Sequence, residues 1–495
     1  MVRHSSTRSF ALLLPLLAAA SFAASAACGA GDGRAPAPPR NPPAGRIDPA
    51  ALAQLVDSVM RAGMAAEHIP GAAVLVLDHG RVVLDRGYGF ADVDARRPVD
   101  PHATRWPFAS VTKVVTATAL MQLVERGRVD LDADVGRYLK VARVPERPYA
   151  AITPRHLLTH TDGLDELPGR RAEPGEALQP LETFLSTRLV RAAAPGGVTR
   201  YGSYGIALAG AIVEDASGLP YAEYVRREIF APLGMTASTI GTPDPAAAGA
   251  ATAYEWADGS LRRVAYERYH TLPTSSLVGT VDDLGRFAAL HLGAGPPAGT
   301  ARVLAPATIH DMAARHASVH PEVPGWGYGW QLDDANGQRI VEHGGDIGGF
   351  SSLVTLLPDS QLGIVVVHHL EGSSLRFRLR QAILDRFFAD GRRPAAFESA
   401  RRELGAFAGT WLANNYCRSC PGAAEEAQRF EITDNRDGSL TLWETRWRPI
   451  GPLLFADESG RRRIGFRRDA AGRVSAVSAG SWRVLERAPR ELAAR

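Results

Sequence analysis

The sequence predicts an α+β (α/β-sandwich) domain with an inserted helical subdomain, followed by a small all-β barrel or sandwich domain. Three observations carry that expectation. Strand-forming runs bracket the first domain, an early pair near residues 72–84 and a late antiparallel set from about 327 to 367. Between them lies a long stretch of helices and loops. Beyond the breaker Asp390-Gly391-Arg392-Arg393-Pro394 the texture changes to short strands at close spacing. At 495 residues the chain exceeds what one compact core supports, so two folded domains are the natural expectation.

The first residues carry a targeting pattern. Arg3 and Arg8 form a positive segment, Phe10 to Ala24 is apolar, and the small residues Ala23-Ala24-Ser25-Ala26-Ala27-Cys28 follow. Residues 1–27 therefore read as a signal peptide and the protein as exported, periplasmic or extracellular. Ser25-Ala26-Ala27-Cys28 resembles a bacterial lipobox with Ser25 in place of the usual leucine, which makes Cys28 a candidate for lipidation and membrane anchoring. Residues 28–46, rich in Gly, Ala and Pro, read as a tether. No later segment is long and apolar enough to cross a bilayer. Net charge is +3, with acids and bases interleaved and no basic run, which argues against a nucleic-acid partner.

The main domain is expected over 47–392. Leu52, Leu55, Val56, Val59 and Met60 recur at helical spacing through 50–65. Ala72–Leu77 and Arg81–Leu84 read as strands joined by the turn Asp78-His79-Gly80. Helices are expected after Ser110, over 203–216, 221–230 and 282–292. Strands return at 327–332, 339–343, 350–357 and 362–367, with Asp359-Ser360-Gln361 as the last turn, and a helix over 374–388 closes the unit. The β domain spans 403–487, about the size of a small domain. Its strands centre on 430–432, 440–443, 453–455, 464–466 and 482–485, and Asp437-Gly438, Ser459-Gly460 and Ala471-Gly472 are its turns. Cys417 and Cys420 form a single C-x-x-C. Half of a zinc site has no second half here, and in an exported protein a short local disulfide is the better reading.

Three motifs carry chemistry. The first is Ser110-Val111-Thr112-Lys113 at the start of an apolar helix. Positions i and i+3 share a helix face, which puts the Lys113 amine beside the Ser110 hydroxyl. Lys113 and Lys140 are the only lysines in a chain otherwise served by arginine. Arginine does not deprotonate, whereas a buried lysine can become a base. The second is Tyr201-Gly202-Ser203 at a loop-to-helix junction, where a phenol can act as acid or base. The third is His343-Gly344-Gly345-Asp346 at a strand end, where glycines let a substrate lie against backbone and an exposed N–H can serve an oxyanion. Singly, each has a bland reading: a chance S-x-x-K, a packed tyrosine, a glycine-rich hairpin.

Together and in this order the motifs resemble the serine hydrolases related to class C β-lactamases, penicillin-binding DD-peptidases and family VIII carboxylesterases. Ser110-Val111-Thr112-Lys113 matches the S-x-x-K element. Tyr201-Gly202-Ser203 resembles Y-x-N with Ser203 for asparagine, and His343-Gly344-Gly345 resembles K-T-G with His343 for lysine. Leu158-Thr159-His160-Thr161-Asp162-Gly163-Leu164 is similar to a further stretch of that family. The resemblance covers about residues 50–390, and the tail looks like the small β-barrel appended to some members. It implies a β-lactamase/transpeptidase-like fold, Ser110 as nucleophile, and Lys113 and Tyr201 sharing the base. It also implies an oxyanion hole from the backbone N–H groups of Ser110 and Asp346, with Ser203, His343, Gly344 and Gly345 contacting a small ester, amide or peptide substrate. His343 would polarise Tyr201 or meet a substrate carboxylate. No metal or other cofactor is implied. The two departures remove a fixed cation and an amide, so an esterase or small-peptide hydrolase fits better than an efficient β-lactamase. The competing expectation is a catalytically idle protein that binds cell-wall peptide fragments.

Overall fold

The computed structural model describes residues 46–242, 249–295, 301–388, 404–478, 480 and 484–489. The expected signal peptide, Cys28 and nearly all of the tether lie outside the described residues. Helix α1, Pro49–Ala66, starts where Asp48 accepts from the Ala50 N–H at 3.0 Å and Pro49 presets the first helical φ. The strands of the central sheet are β1 (Gly71–Asp78), β2 (Arg81–Asp92), β3 (Arg97–Pro98), β4 (Gln331–Ala335), β5 (Gln338–Ile347), β6 (Phe350–Leu357) and β7 (Leu362–His369). Their spatial order is β3-β2-β1-β7-β6-β5-β4. The two ends of the domain meet where β1 pairs antiparallel with β7, Val74 opposite Val366.

Strands β1, β6 and β7 are buried along their whole length, because both sheet faces are covered. Alternate residues serve alternate cores. Val74, Val76, Leu353 and Val366 pack with α1 and with the helix Leu375–Phe387. Ala73, Leu75, Val354 and Val365 face the helical subdomain. Its centre is α2, Thr112–Glu125, packed against α3, Tyr204–Ser217. Residues 112–123 of α2 are all buried. A helix this apolar all round belongs in an interior. Its polar side chains find internal partners: Thr118 Oγ1 donates to the Val114 carbonyl at 2.9 Å, and Gln122 Nε2 to the Val303 carbonyl at 3.0 Å.

Several elements differ from expectation, β2 among them, which runs on past the expected 81–84 to Asp92. The strand expected over 327–332 begins at Gln331, because Gly329 takes φ 75° and turns the chain tightly against α2, where an added Cβ would stand 2.5 Å from Ala117 Cβ. The strand expected to end at His343 runs on to Ile347, which places His343-Gly344-Gly345-Asp346 inside β5 and leaves Gly348-Gly349 to make the turn.

The C-terminal region resolves as a closed barrel of eight antiparallel strands, from Gly409–Ala413 to Val484–Arg487. Closure pairs those two end strands, with Trp411 opposite Arg487, and removes the open edges a sandwich would keep. Trp411, Leu440, Trp447, Phe455 and Phe466 fill its separate core. Cys417 and Cys420 form the expected disulfide. The barrel and the preceding fold belong to one compact unit.

Candidate active site

Ser110 lies in a short 3-10 turn, Ala109–Val111, that feeds directly into α2. Ala109 holds φ 48°, a left-handed conformation that costs a non-glycine residue about 1–3 kcal/mol. Neighbours hold the turn in place. Thr112 Oγ1 donates to the Ala109 carbonyl at 2.6 Å and accepts from the Leu277 N–H at 2.8 Å. Ser352 Oγ donates to the Phe108 carbonyl at 2.9 Å. Lys113 follows one helical turn later, and its Nζ stands 3.0 Å from Ser110 Oγ.

Lys113 is 1% exposed. Its Nζ also donates to the Thr274 carbonyl at 3.1 Å. Burial, reinforced by the Arg170 guanidinium and opposed by Glu166, pushes its pKa down from 10.5 to about 7. Near neutrality half of these amines are uncharged. With one N–H committed to Thr274, the lone pair is available to Ser110.

Tyr201 completes a cluster on the same side. The Lys113 amine lies 5.0 Å from its ring centroid. Trp326 stacks on the tyrosine at 5.6 Å, and the His160 and His343 rings lie 4.8 and 6.0 Å away. Burial raises the phenol pKa, against a smaller opposing effect of its interaction with the Ser110 side chain. The tyrosine is thus a proton donor at neutral pH, while Lys113 is the group able to accept. His160 anchors the loop: its Nδ1 accepts from the Gly202 N–H at 3.3 Å, and its carbonyl accepts from the Arg200 N–H at 2.8 Å.

Ser203 is buried, and its backbone N–H donates to Glu166 Oε1. The Tyr204 N–H donates to the same oxygen at 2.9 Å. Glu166 therefore caps α3 and neutralises its N-terminal end. On the other wall β5 passes directly over the nucleophile turn. A Cβ at Gly345 would stand 2.3 Å from the Phe108 carbonyl oxygen and 3.0 Å from Ala109 Cβ, so only glycine permits this approach. Asp346 follows, its carboxylate clamped by Arg376 through two contacts of 2.6 Å. Burial raises that carboxyl, but Arg376 outweighs it and holds the pKa below the usual range.

His343 is fully buried on β5, and its Nδ1–H donates to the Gly344 carbonyl at 2.7 Å. Burial and the nearby Lys113 push its pKa down to about 3, so the ring is neutral at ordinary pH. A shallow depression lined by Ser275, Ser276, Ile347, Gly348 and Glu267 among others lies nearby, Ser275 following the Thr274 whose carbonyl accepts from Lys113. Of the residues expected from the three motifs, Ser110, Lys113, Tyr201 and His343 lie together and Gly345 packs against the Ser110 turn, while Ser203, Gly344 and Asp346 are their chain neighbours. Sequence reasoning missed Glu166, Arg170, Thr274 and Trp326, which act through burial and long-range contact and belong to no short pattern.

A strained serine turn on a buried helix, a neutral-prone lysine one turn on, and a glycine strand crossing over them define a β-lactamase/transpeptidase-like fold with an S-x-x-K centre. A family model described as beta-lactamase matches residues 56–386, and the chain belongs to that family. Esterase EstB of Burkholderia gladioli is 30% identical over 346 residues, covering 62% of this chain and 87% of the esterase. Protein flp of Staphylococcus aureus strain MRSA252 is 24% identical over 327 residues, or 64% of this chain; the match spans 63% of that relative's length. The crystal structure of SurE superposes with a TM-score of 0.62 at 24% identity, covering 89% of this chain and 98% of SurE, and attests the fold.

Proposed function

We propose that the protein is an exported serine hydrolase that cleaves small esters, and related amides or peptides, through an acyl-enzyme at Ser110. The observation that carries this reading is the 3.0 Å contact between Ser110 Oγ and a buried Lys113 whose pKa is pushed down to about 7. Lys113 takes the hydroxyl proton as Oγ attacks the substrate carbonyl. The backbone N–H groups of Ser110 and Asp346 receive the oxyanion. The leaving alcohol or amine takes a proton from the Lys113–Tyr201 pair, and the acyl group stays on Oγ. Water, deprotonated by the same pair, adds to the acyl carbon and releases the acid with Ser110 restored.

A neutral His343 offers no fixed charge to a substrate carboxylate, and the kinship with Esterase EstB supports an ester. The test sets a short-chain nitrophenyl ester beside a chromogenic cephalosporin, with fluorophosphonate labelling read by mass spectrometry. Ester turnover well above cephalosporin turnover, with an adduct on Ser110 that Ser110→Ala removes, is the expected result. Undiminished turnover in Ser110→Ala refutes the mechanism. A wild-type protein that neither turns over nor labels favours the idle binder instead, which binding of a cell-wall peptide fragment then tests. Export and lipidation rest on the N-terminal pattern, and the mass of the mature N-terminus decides whether cleavage precedes a lipidated Cys28.

A further inference from the structure

The four residues that precede Tyr201 are each gripped by the C-terminal barrel. Arg467 Nη1 donates to the Gly197 carbonyl at 3.3 Å. Val198 packs against Ala476 and Val484 of the barrel and Val319 of the main fold. Asn414 Nδ2 donates to the Thr199 carbonyl at 2.8 Å. Arg200 donates from Nε to Glu486 Oε1 at 3.1 Å and from Nη2 to Glu486 Oε2 at 3.4 Å. Glu486 sits on the last barrel strand and is itself held by Arg418, at 2.7 Å, and by Asn414, at 3.4 Å.

A second grip reaches the far side of the tyrosine. The disulfide loop presents the Arg418 N–H, the Ser419 N–H and the Ser419 hydroxyl to the buried Asp165 carboxylate, at 2.9, 2.7 and 2.7 Å. The next residue, Glu166, receives the N–H groups of Ser203 and Tyr204. The barrel therefore holds the chain before Tyr201 directly and the chain after it through Asp165 and its neighbour Glu166.

We infer that the barrel is a positioning element for the active site, in which Glu486 holds Arg200 and thereby fixes the segment that carries Tyr201. The inference rests on the hydrolase reading above. Glu486 touches no reacting atom; it acts through Arg200, and its effect falls on the orientation of the phenol. A misplacement of about 1 Å in such a group costs on the order of a hundredfold in rate.

The experiment uses the full chain with Glu486→Ala, Glu486→Gln and Arg200→Ala, singly, and the double Arg200→Ala/Glu486→Ala. Rates are measured on a small nitrophenyl ester, normalised to active sites titrated with a fluorophosphonate. Glu486→Ala is expected to lower kcat per active site by about 10- to 100-fold with KM within about twofold. Glu486→Gln, which keeps an acceptor for Arg200, recovers part of the loss. The double variant is no slower than the slower single, as required of two residues acting through one contact. An unchanged kcat per active site in Glu486→Ala overturns the inference, as does additivity in the double variant. A wild-type protein with no turnover and no Ser110 adduct overturns the hydrolase reading instead. In that case amide hydrogen exchange still decides the positioning claim. Residues 197–204 must exchange faster in Glu486→Ala than in wild type while α2 is unaffected, and equal exchange refutes it.

Discussion

The pH dependence of catalysis follows from one distance and one burial. An exposed lysine with its pKa at 10.5 is uncharged in about one molecule in 3000 at pH 7. Lys113, pushed down to about 7, is uncharged in about half. The gain in competent base is about 1500-fold, equivalent to about 4 kcal/mol. Activity on an uncharged ester is expected to rise through an inflection near pH 7, to fall about tenfold per pH unit below about pH 6, and to level above pH 8. The assay is kcat/KM for a nitrophenyl ester from pH 4.5 to 9.5, corrected for spontaneous hydrolysis. Two variants identify the titrating group. His343→Gln leaves the inflection in place, because that histidine is already neutral across the range. Arg170→Leu moves it alkaline, because a cation that disfavours protonation of Lys113 is gone. An inflection above pH 9, or one abolished by His343→Gln, refutes the assignment of Lys113 as base.

Two further outcomes test the surroundings of the nucleophile. Gly345→Ala drives a Cβ to within 2.3 Å of the Phe108 carbonyl oxygen, so β5 or the Ser110 turn must shift. The variant is expected to fold with a lowered Tm and to lose at least tenfold in the rate of fluorophosphonate labelling, while labelling at the wild-type rate shows the approach to be slack. Lys113→Met is expected to abolish turnover yet stabilise the fold. The folded lysine binds its proton more weakly than the unfolded one, so wild-type stability rises with pH between about 7 and 10.5. At pH 7 the burden is about 4 kcal/mol, of which the lost bond to the Thr274 carbonyl returns about 1–2. The gain seen in urea denaturation should shrink by about 2 kcal/mol between pH 7 and pH 9, and a pH-independent difference contradicts the burial argument.

Much of this architecture was legible because apolar patterns report burial. Val111, Val114, Val115, Leu120 and Leu123 surround α2 on every side, and such a helix has nowhere to go but an interior. Strand β1 reads as an unbroken apolar run because helices cover both of its faces. The pattern was silent where tertiary contact outweighs local preference. Ala109 adopts a left-handed φ that no local rule assigns to alanine, and it does so because Thr112, Leu277 and Ser352 hold the turn from outside. The glycines of 344–349 suit a hairpin loop as well as a strand, and it is pairing with β6 that draws 344–347 into the ladder. Glu166 illustrates the larger gap. Nothing near it in the chain marks a helix cap for a helix that starts at Tyr204, because the relation exists only once the intervening loops have folded.

The histidine at position 343, where the K-T-G element it resembles carries lysine, gains a physical meaning from the same electrostatics. A base that works near neutrality must not be driven far below it. Arg170 already depresses Lys113, while Glu166 pulls the other way. A second buried cation on β5 would press Lys113 lower still and weaken it as a proton acceptor. His343, buried and neutral, spares Lys113 that repulsion while keeping an aromatic ring 6.0 Å from Tyr201. The negative groups nearby are committed elsewhere, Glu166 to the start of α3 and Asp346 to Arg376. The site thus holds its base near its working pH and forgoes a cation for a charged substrate. That balance suits an acyl group with no carboxylate to be neutralised, and it is why an ester is the substrate class to try first.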